Sequence, residues 1–122
     1  MTKKSCYDIT TFGEILIDFT WQGVNEEGQA VFAQNPGGAP ANVAVAAAKL
    51  GARTAFLGKA GKDMHGEFLK EVLVKNGVPM ENILREDQAT FTYENAIYSR
   101  QITDQMGLEI KKAILCCKSY HS

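Results

Sequence analysis

A carboxylate, Asp18, and an amide, Asn42, stand on either side of a glycine pair in the stretch that ends Asn35-Pro36-Gly37-Gly38-Ala39-Pro40-Ala41-Asn42. These residue types suit a hydroxyl-rich ligand, because paired hydroxyls need a carboxylate acceptor together with amide or backbone donors. Asp18 can accept from two hydroxyls, and Asn42 can both donate and accept. Gly37 and Gly38, lacking side chains, let a ligand come close to the free N–H groups of a helix start. Each residue alone also has a plainer role: a solvated strand-end carboxylate, a tight turn before a helix, a cap. Gly61-Lys62 is not a phosphate-binding P-loop, since Asp63 stands where that motif needs Ser or Thr for Mg²⁺. Asp63 is expected to cap a helix, with His65 exposed in its first turn. Cys6, Cys116 and Cys117, with His121 close behind, form neither a disulfide framework nor a zinc spacing. No metal site is expected, and reduced thiols suit a cytosolic protein.

The elements that must position these groups follow from pattern. Tyr7 to Phe19 is rich in β-branched and aromatic residues and predicts one strand, bent or bulged at Gly13. Strand-like runs follow at Thr20–Gln22 and Gln29–Ala33, joined by the polar loop Asn25-Glu26-Glu27-Gly28 as in a hairpin. After the breaker Asn35-Pro36-Gly37-Gly38, Pro40 suits the first position of an alanine-rich helix, Ala41–Leu50, which Gly51 ends. Its middle is apolar on every side, so it is expected to be buried all round. Arg53–Gly58 predicts a strand. A helix over Met64–Asn76, stopped by Gly77, carries Met64, Phe68, Leu69, Val72 and Leu73 on one face and a Glu71–Lys75 pair on the other. Asn82–Leu84 starts a further strand, and Thr103–Cys117 reads either as a helix with Met106, Ile110, Ala113, Ile114 and Cys117 on one face or as a tail from a shifted reading frame, an altered exon or an early stop. Strands alternating with helices imply an α/β protein with a mainly parallel sheet and right-handed crossovers.

Composition narrows the partners. A chain of 122 residues, 45% apolar and 22% charged, is one ordinary domain. A net charge of −1 gives no attraction to nucleic acid or an anionic membrane. The longest apolar stretch, Val43–Ala48, is too short to span a bilayer, and no signal core follows Lys3 and Lys4. A cytoplasmic location is expected.

The segment Gly37 to Ala44, followed by Gly51 and Gly61 at matching distances, resembles the N-terminal signature of the ribokinase-like (PfkB) carbohydrate kinases. Upstream, Phe12-Gly13-Glu14-Ile15-Leu16-Ile17-Asp18-Phe19 is similar to that family's opening strand. Downstream, Phe56-Leu57-Gly58-Lys59-Ala60-Gly61-Lys62-Asp63, Gly66 and Asn76-Gly77-Val78 match its next landmarks. The spelling Asn-Pro-Gly-Gly-Ala-Pro-Ala-Asn is most like the fructokinases. The resemblance implies a ribokinase-like α/β fold with helices on both faces of the sheet and an inserted β-lid hairpin, whose strands fall at about 19–34. It implies a sugar pocket lined by Asp18, Gly37, Gly38 and Asn42. It also implies an ATP-dependent sugar kinase using Mg²⁺, with a fructose-like substrate and a possible homodimer through the lid strands. Residues 1–86 correspond to the N-terminal part of such a kinase, and 87–122 to a divergent tail. The family's Gly-Ala-Gly-Asp, whose aspartate serves as the base, and its ATP pocket have no counterpart here, so the chain is expected to be truncated and inactive alone. The alternatives are a non-catalytic sugar-binding or dimerisation fragment, or a truncated product without function.

Overall fold

The computed structural model describes residues 7–90 and 92–114. The three cysteines and His121 lie outside them. The element order is β1 (Ile9–Glu14), β2 (Leu16–Val24), β3 (Ala30–Gly37), α1 (Ala39–Lys49), β4 (Thr54–Lys59), α2 (Met64–Lys75), β5 (Ile83–Arg85) and α3 (Thr92–Gln105), with a short 3₁₀ turn at Met80–Asn82 before β5. β1, β4 and β5 form a parallel sheet in that order, with β4 central. β2 and β3 form a separate antiparallel pair.

The run expected as one strand, Tyr7–Phe19, is therefore two strands in two sheets. It divides at Ile15 because the end of β1 meets the start of α1. Gly13, at φ 139°, leaves the space that Pro40 fills; a Cβ there would lie 2.7 Å from the proline Cγ. Asp18 consequently belongs to the hairpin and not to the end of a core strand. The hairpin strands are also longer than the 19–34 expected, since β3 continues through Pro36 and Gly37. Proline is tolerated there because β3 pairs with a strand on one side only. The loop is as expected: Asn25 Oδ1 accepts from the Glu27 and Gln29 N–H groups at 3.1 and 2.9 Å, and Gly28 takes φ 81°.

The core gathers Ala41 and Ala44 of α1, Phe56 of β4, Leu73 of α2 and Val78, with Ile15, Val45, Ala48 and Ile83 packed around it. Four consecutive residues of β4, Thr54 to Leu57, are buried, as a central parallel strand covered on both faces requires. Alternation turns Ala55 and Leu57 away from Phe56, and α3 lies against the same strand.

Two helical expectations are corrected. α1 is buried along one face only: Ala41, Ala44 and Ala47 face inward, while Val43 and Leu50 are exposed. Small side chains at three-residue spacing let the helix lie close to β1 and β4, and the larger ones turn out. Among the described residues the last helix is α3, which takes in only the start of the expected Thr103–Cys117; Gly107 at φ 67° ends it, residues 108–114 have no regular structure, and 115–117 lie outside the described residues. All three helices close alike, with Gly51, Gly77 or Gly107 in the left-handed conformation and the following N–H reaching back to Ala47, Leu73 or Thr103. The ion pair on α2 joins Lys70 to Glu67 at 4.0 Å, in place of Glu71 with Lys75.

Candidate functional site

Gly37 is the hub of the predicted residues. It is buried at the end of β3, and its Cα faces the Asp18 carboxylate so closely that a Cβ would overlap Asp18 Oδ2. Gly38 caps α1 with φ 105° and ψ 121°; a Cβ there would sit 2.5 Å from the Glu14 main-chain oxygen and 3.0 Å from Ile15 Cα. No L side chain fits that space or that backbone. The first helical turn then brings round Asn42, whose N–H donates to Gly38 O at 3.0 Å. Its side chain is exposed and lines, with Gly37, Pro36 and Asn76, a cleft of about 120 Å³. Asp18 and Asn42 thus lie on two sides of Gly37: Asp18 contacts it, and Asn42 shares its cleft. The Asp18 carboxylate accepts no hydrogen bond from any described residue, so its lone pairs are available to a ligand.

The other motif carboxylate is already engaged. Asp63 Oδ1 accepts from the Gly66 N–H at 2.8 Å and caps α2, as its position predicts. Gly66 lies so close to Gly61 O that any side chain would collide. His65 is exposed as expected, and its ring also meets Phe19 of β2 edge-on, with centroids 6.2 Å apart. No sequence signal pairs those two, because the contact joins separate elements. A second cleft, of about 130 Å³, lies between α2 and the ends of β4 and β5; it is lined by Gly58, Gly61, Lys70 and Arg85 among others and holds none of the four predicted residues.

Sequence reasoning passed over Glu86. It is 1% exposed, its Oε1 accepts from the Gln88 and Ala89 N–H groups, and its Oε2 has no partner among the described residues. Lys59 Nζ donates to the Ala89 main-chain oxygen beside it. The carboxylate organises the turn after β5. Among the described residues no three His, Cys, Asp or Glu side chains converge on a metal-sized space. Gly61-Lys62 opens no phosphate cradle, since the adjoining N–H of Gly66 is taken by Asp63. The described residues do not fit ATP or Mg²⁺.

The chain thus combines a parallel α/β sheet, a separate antiparallel hairpin and a glycine pair opening the first helix. Residues 7–103 match the pfkB family carbohydrate kinase, and the chain belongs to that family. Fructokinase-2 of Oryza sativa subsp. japonica is 47% identical over 83 residues, covering 66% of this chain and 25% of the relative. The crystal structure of fructokinase from Xylella fastidiosa is 45% identical with a TM-score of 0.57, over 66% of this chain and 25% of that one. The same enzyme's structure with bound ATP is 44% identical with a TM-score of 0.56, over 66% and 24%. The chain spans about a quarter of the length of these relatives.

Proposed function

We propose that this chain supplies the sugar-recognition part of a fructokinase-like enzyme that transfers the ATP γ-phosphate to a sugar hydroxyl. The observation that carries the reading is the Asp18 carboxylate, which no described residue engages and which lies against Gly37 where α1 begins. In this reading Asp18 accepts from sugar hydroxyls, Asn42 donates and accepts, and Gly37 and Gly38 keep the approach open. Family membership and the fructokinase relatives support a fructose-like substrate. ATP, with Mg²⁺, is the donor for the whole enzyme; the groups that hold them lie outside the described residues. A cytoplasmic location suits such an enzyme, and no helix of the described residues is long and apolar enough to cross a membrane.

Calorimetric titration of fructose and ribose tests the site. Asp18→Ala is expected to weaken fructose binding about tenfold to a hundredfold, the value of about 1.5–3 kcal/mol for hydrogen bonds to a charged group. Asn42→Ala is expected to cost less, about 0.5–1.5 kcal/mol. Unchanged affinity in both variants defeats the assignment. A second reading, a dimerisation module without catalysis, draws on Phe19, Trp21 and Phe32, which are 58%, 62% and 52% exposed on the hairpin. Fructose titration separates the two, since a dimerisation module binds no sugar, and under either reading the chain alone is expected to produce no sugar phosphate.

A further inference from the structure

Asn35 stands directly across from Asp18 in the β2–β3 register, so both side chains leave the same face of the hairpin with Cβ atoms about 5 Å apart. The Asn35 amide nitrogen is fully used: it donates to Thr20 Oγ1 at 2.9 Å and to the Asp18 main-chain oxygen at 3.4 Å. A main-chain carbonyl only accepts, so nitrogen must face it, and this settles which way the amide points. Asn35 Oδ1 is left as an acceptor whose direction is set before any ligand arrives. Beside it lies the Asp18 carboxylate, which no described residue engages. The Asp18 carboxylate can accept from more than one hydroxyl, but a carboxylate that nothing holds does not fix which ones. Two acceptors fixed at adjacent cross-strand positions match O–H groups on neighbouring carbons.

We infer that Asn35 is a specificity-determining residue that reads a hydroxyl next to one that Asp18 binds, so that the pair selects a vicinal diol; this rests on Asp18 belonging to a sugar site. Thr20 is the positioning residue that holds the amide. The assignment distinguishes sugars by hydroxyl placement, not by size.

The test titrates the full 122-residue chain with fructose and each of its monodeoxy analogues. Wild type, Asp18→Ala, Asn35→Ala and Thr20→Val are compared, and emission from Trp21 and the thermal midpoint check that the hairpin is intact. Asn35→Ala is expected to bind fructose about tenfold more weakly. One analogue should bind wild type about tenfold more weakly than fructose, yet bind Asn35→Ala as well as fructose does. Thr20→Val should show a smaller loss on the same analogue. A merely structural role lowers every affinity by one factor and preserves the ratios, and that outcome overturns the inference. Should Asn35→Ala unfold, the nearly isosteric Asn35→Leu carries the same comparison. Weaker binding in Asp18→Ala with none in Asn35→Ala overturns the role of Asn35 alone. A wild-type chain that binds no sugar, or an Asp18→Ala that binds like wild type, overturns the sugar-site reading and this inference with it.

Discussion

At Gly38 backbone conformation and space make the same demand. Its φ of 105° disfavours any L residue, and the Glu14 oxygen occupies the place of a Cβ. Gly38→Val is expected to destabilise the chain by about 2 kcal/mol or more and to abolish sugar affinity, read by denaturant titration and calorimetry. Full stability with native affinity would show that the turn can move aside. Asp8 and Arg53 form a different kind of contact, a tie between the starts of β1 and β4. Arg53 Nη2 lies 2.8 Å from Asp8 Oδ1, and the Arg53 N–H donates to Oδ2 at 2.8 Å. The guanidinium hydrogen bond, with help from that N–H, lowers the Asp8 pKa from 3.8 to about 2. The folded pKa lies below the unfolded one, so the stabilisation is present above about pH 4 and is lost as pH falls through about 2. Solvent screens this exposed pair, and its effect on stability is small. A carboxyl-resolved NMR titration should place the Asp8 midpoint near 2, moving toward 3.8 in Arg53→Ala; equal midpoints would dissociate Arg53 from the shift.

Elements were legible where local chemistry fixes them. Asp63 three residues before Gly66 announces the α2 cap, and Asp63→Ala should cost about 1 kcal/mol in denaturant midpoint with no change in sugar binding. A loss of binding without a loss of stability would add Asp63 to the candidate site. Gly51 and Gly77 likewise mark helix ends, and β4 and β5 lie within a residue or two of their expected positions. α3 was missed because its sequence, with Glu94, Asn95, Arg100, Gln101 and Asp104, carries little apolar periodicity, although Gly107 offered the same stop as the other two glycines. The apolar spacing from Met106 to Ile114 drew the expectation too far along. The division at Ile15 was hidden for another reason: it depends on Pro40 and Gly38 pressing against β1 from a distant segment. Of the site, Gly37, Gly38 and Asn42 could be read from spacing, and the nearness of Asp18 to Gly37 followed only from the family resemblance. Asn35 was visible only as part of a breaker, since its partner across the hairpin is a matter of register.

For the whole molecule, the exposed apolar surface is large. Phe12, Phe19, Trp21, Phe32, Val43 and Leu50 are all exposed, and β1 and β5 are the two edges of the sheet. The chain is expected to self-associate above micromolar concentration. Sedimentation should give a mass above the 13.4 kDa of one copy, reduced by Trp21→Lys with Phe32→Lys; a monomer at all concentrations would rule this out. The strand order has a further consequence, for synthesis. Asp8 and Arg53, at the paired starts of β1 and β4, are 45 residues apart, and the β2–β3 hairpin lies between β1 and its partner in the chain. The β2–β3 hairpin needs no such wait, and hairpins form in about 1–10 μs. At about 5–20 residues per second on the ribosome, β1 has no partner for roughly 2–9 s after it is made. During that interval the β1 backbone has no neighbouring strand to pair with, so the nascent chain is a better substrate for a chaperone than the finished one.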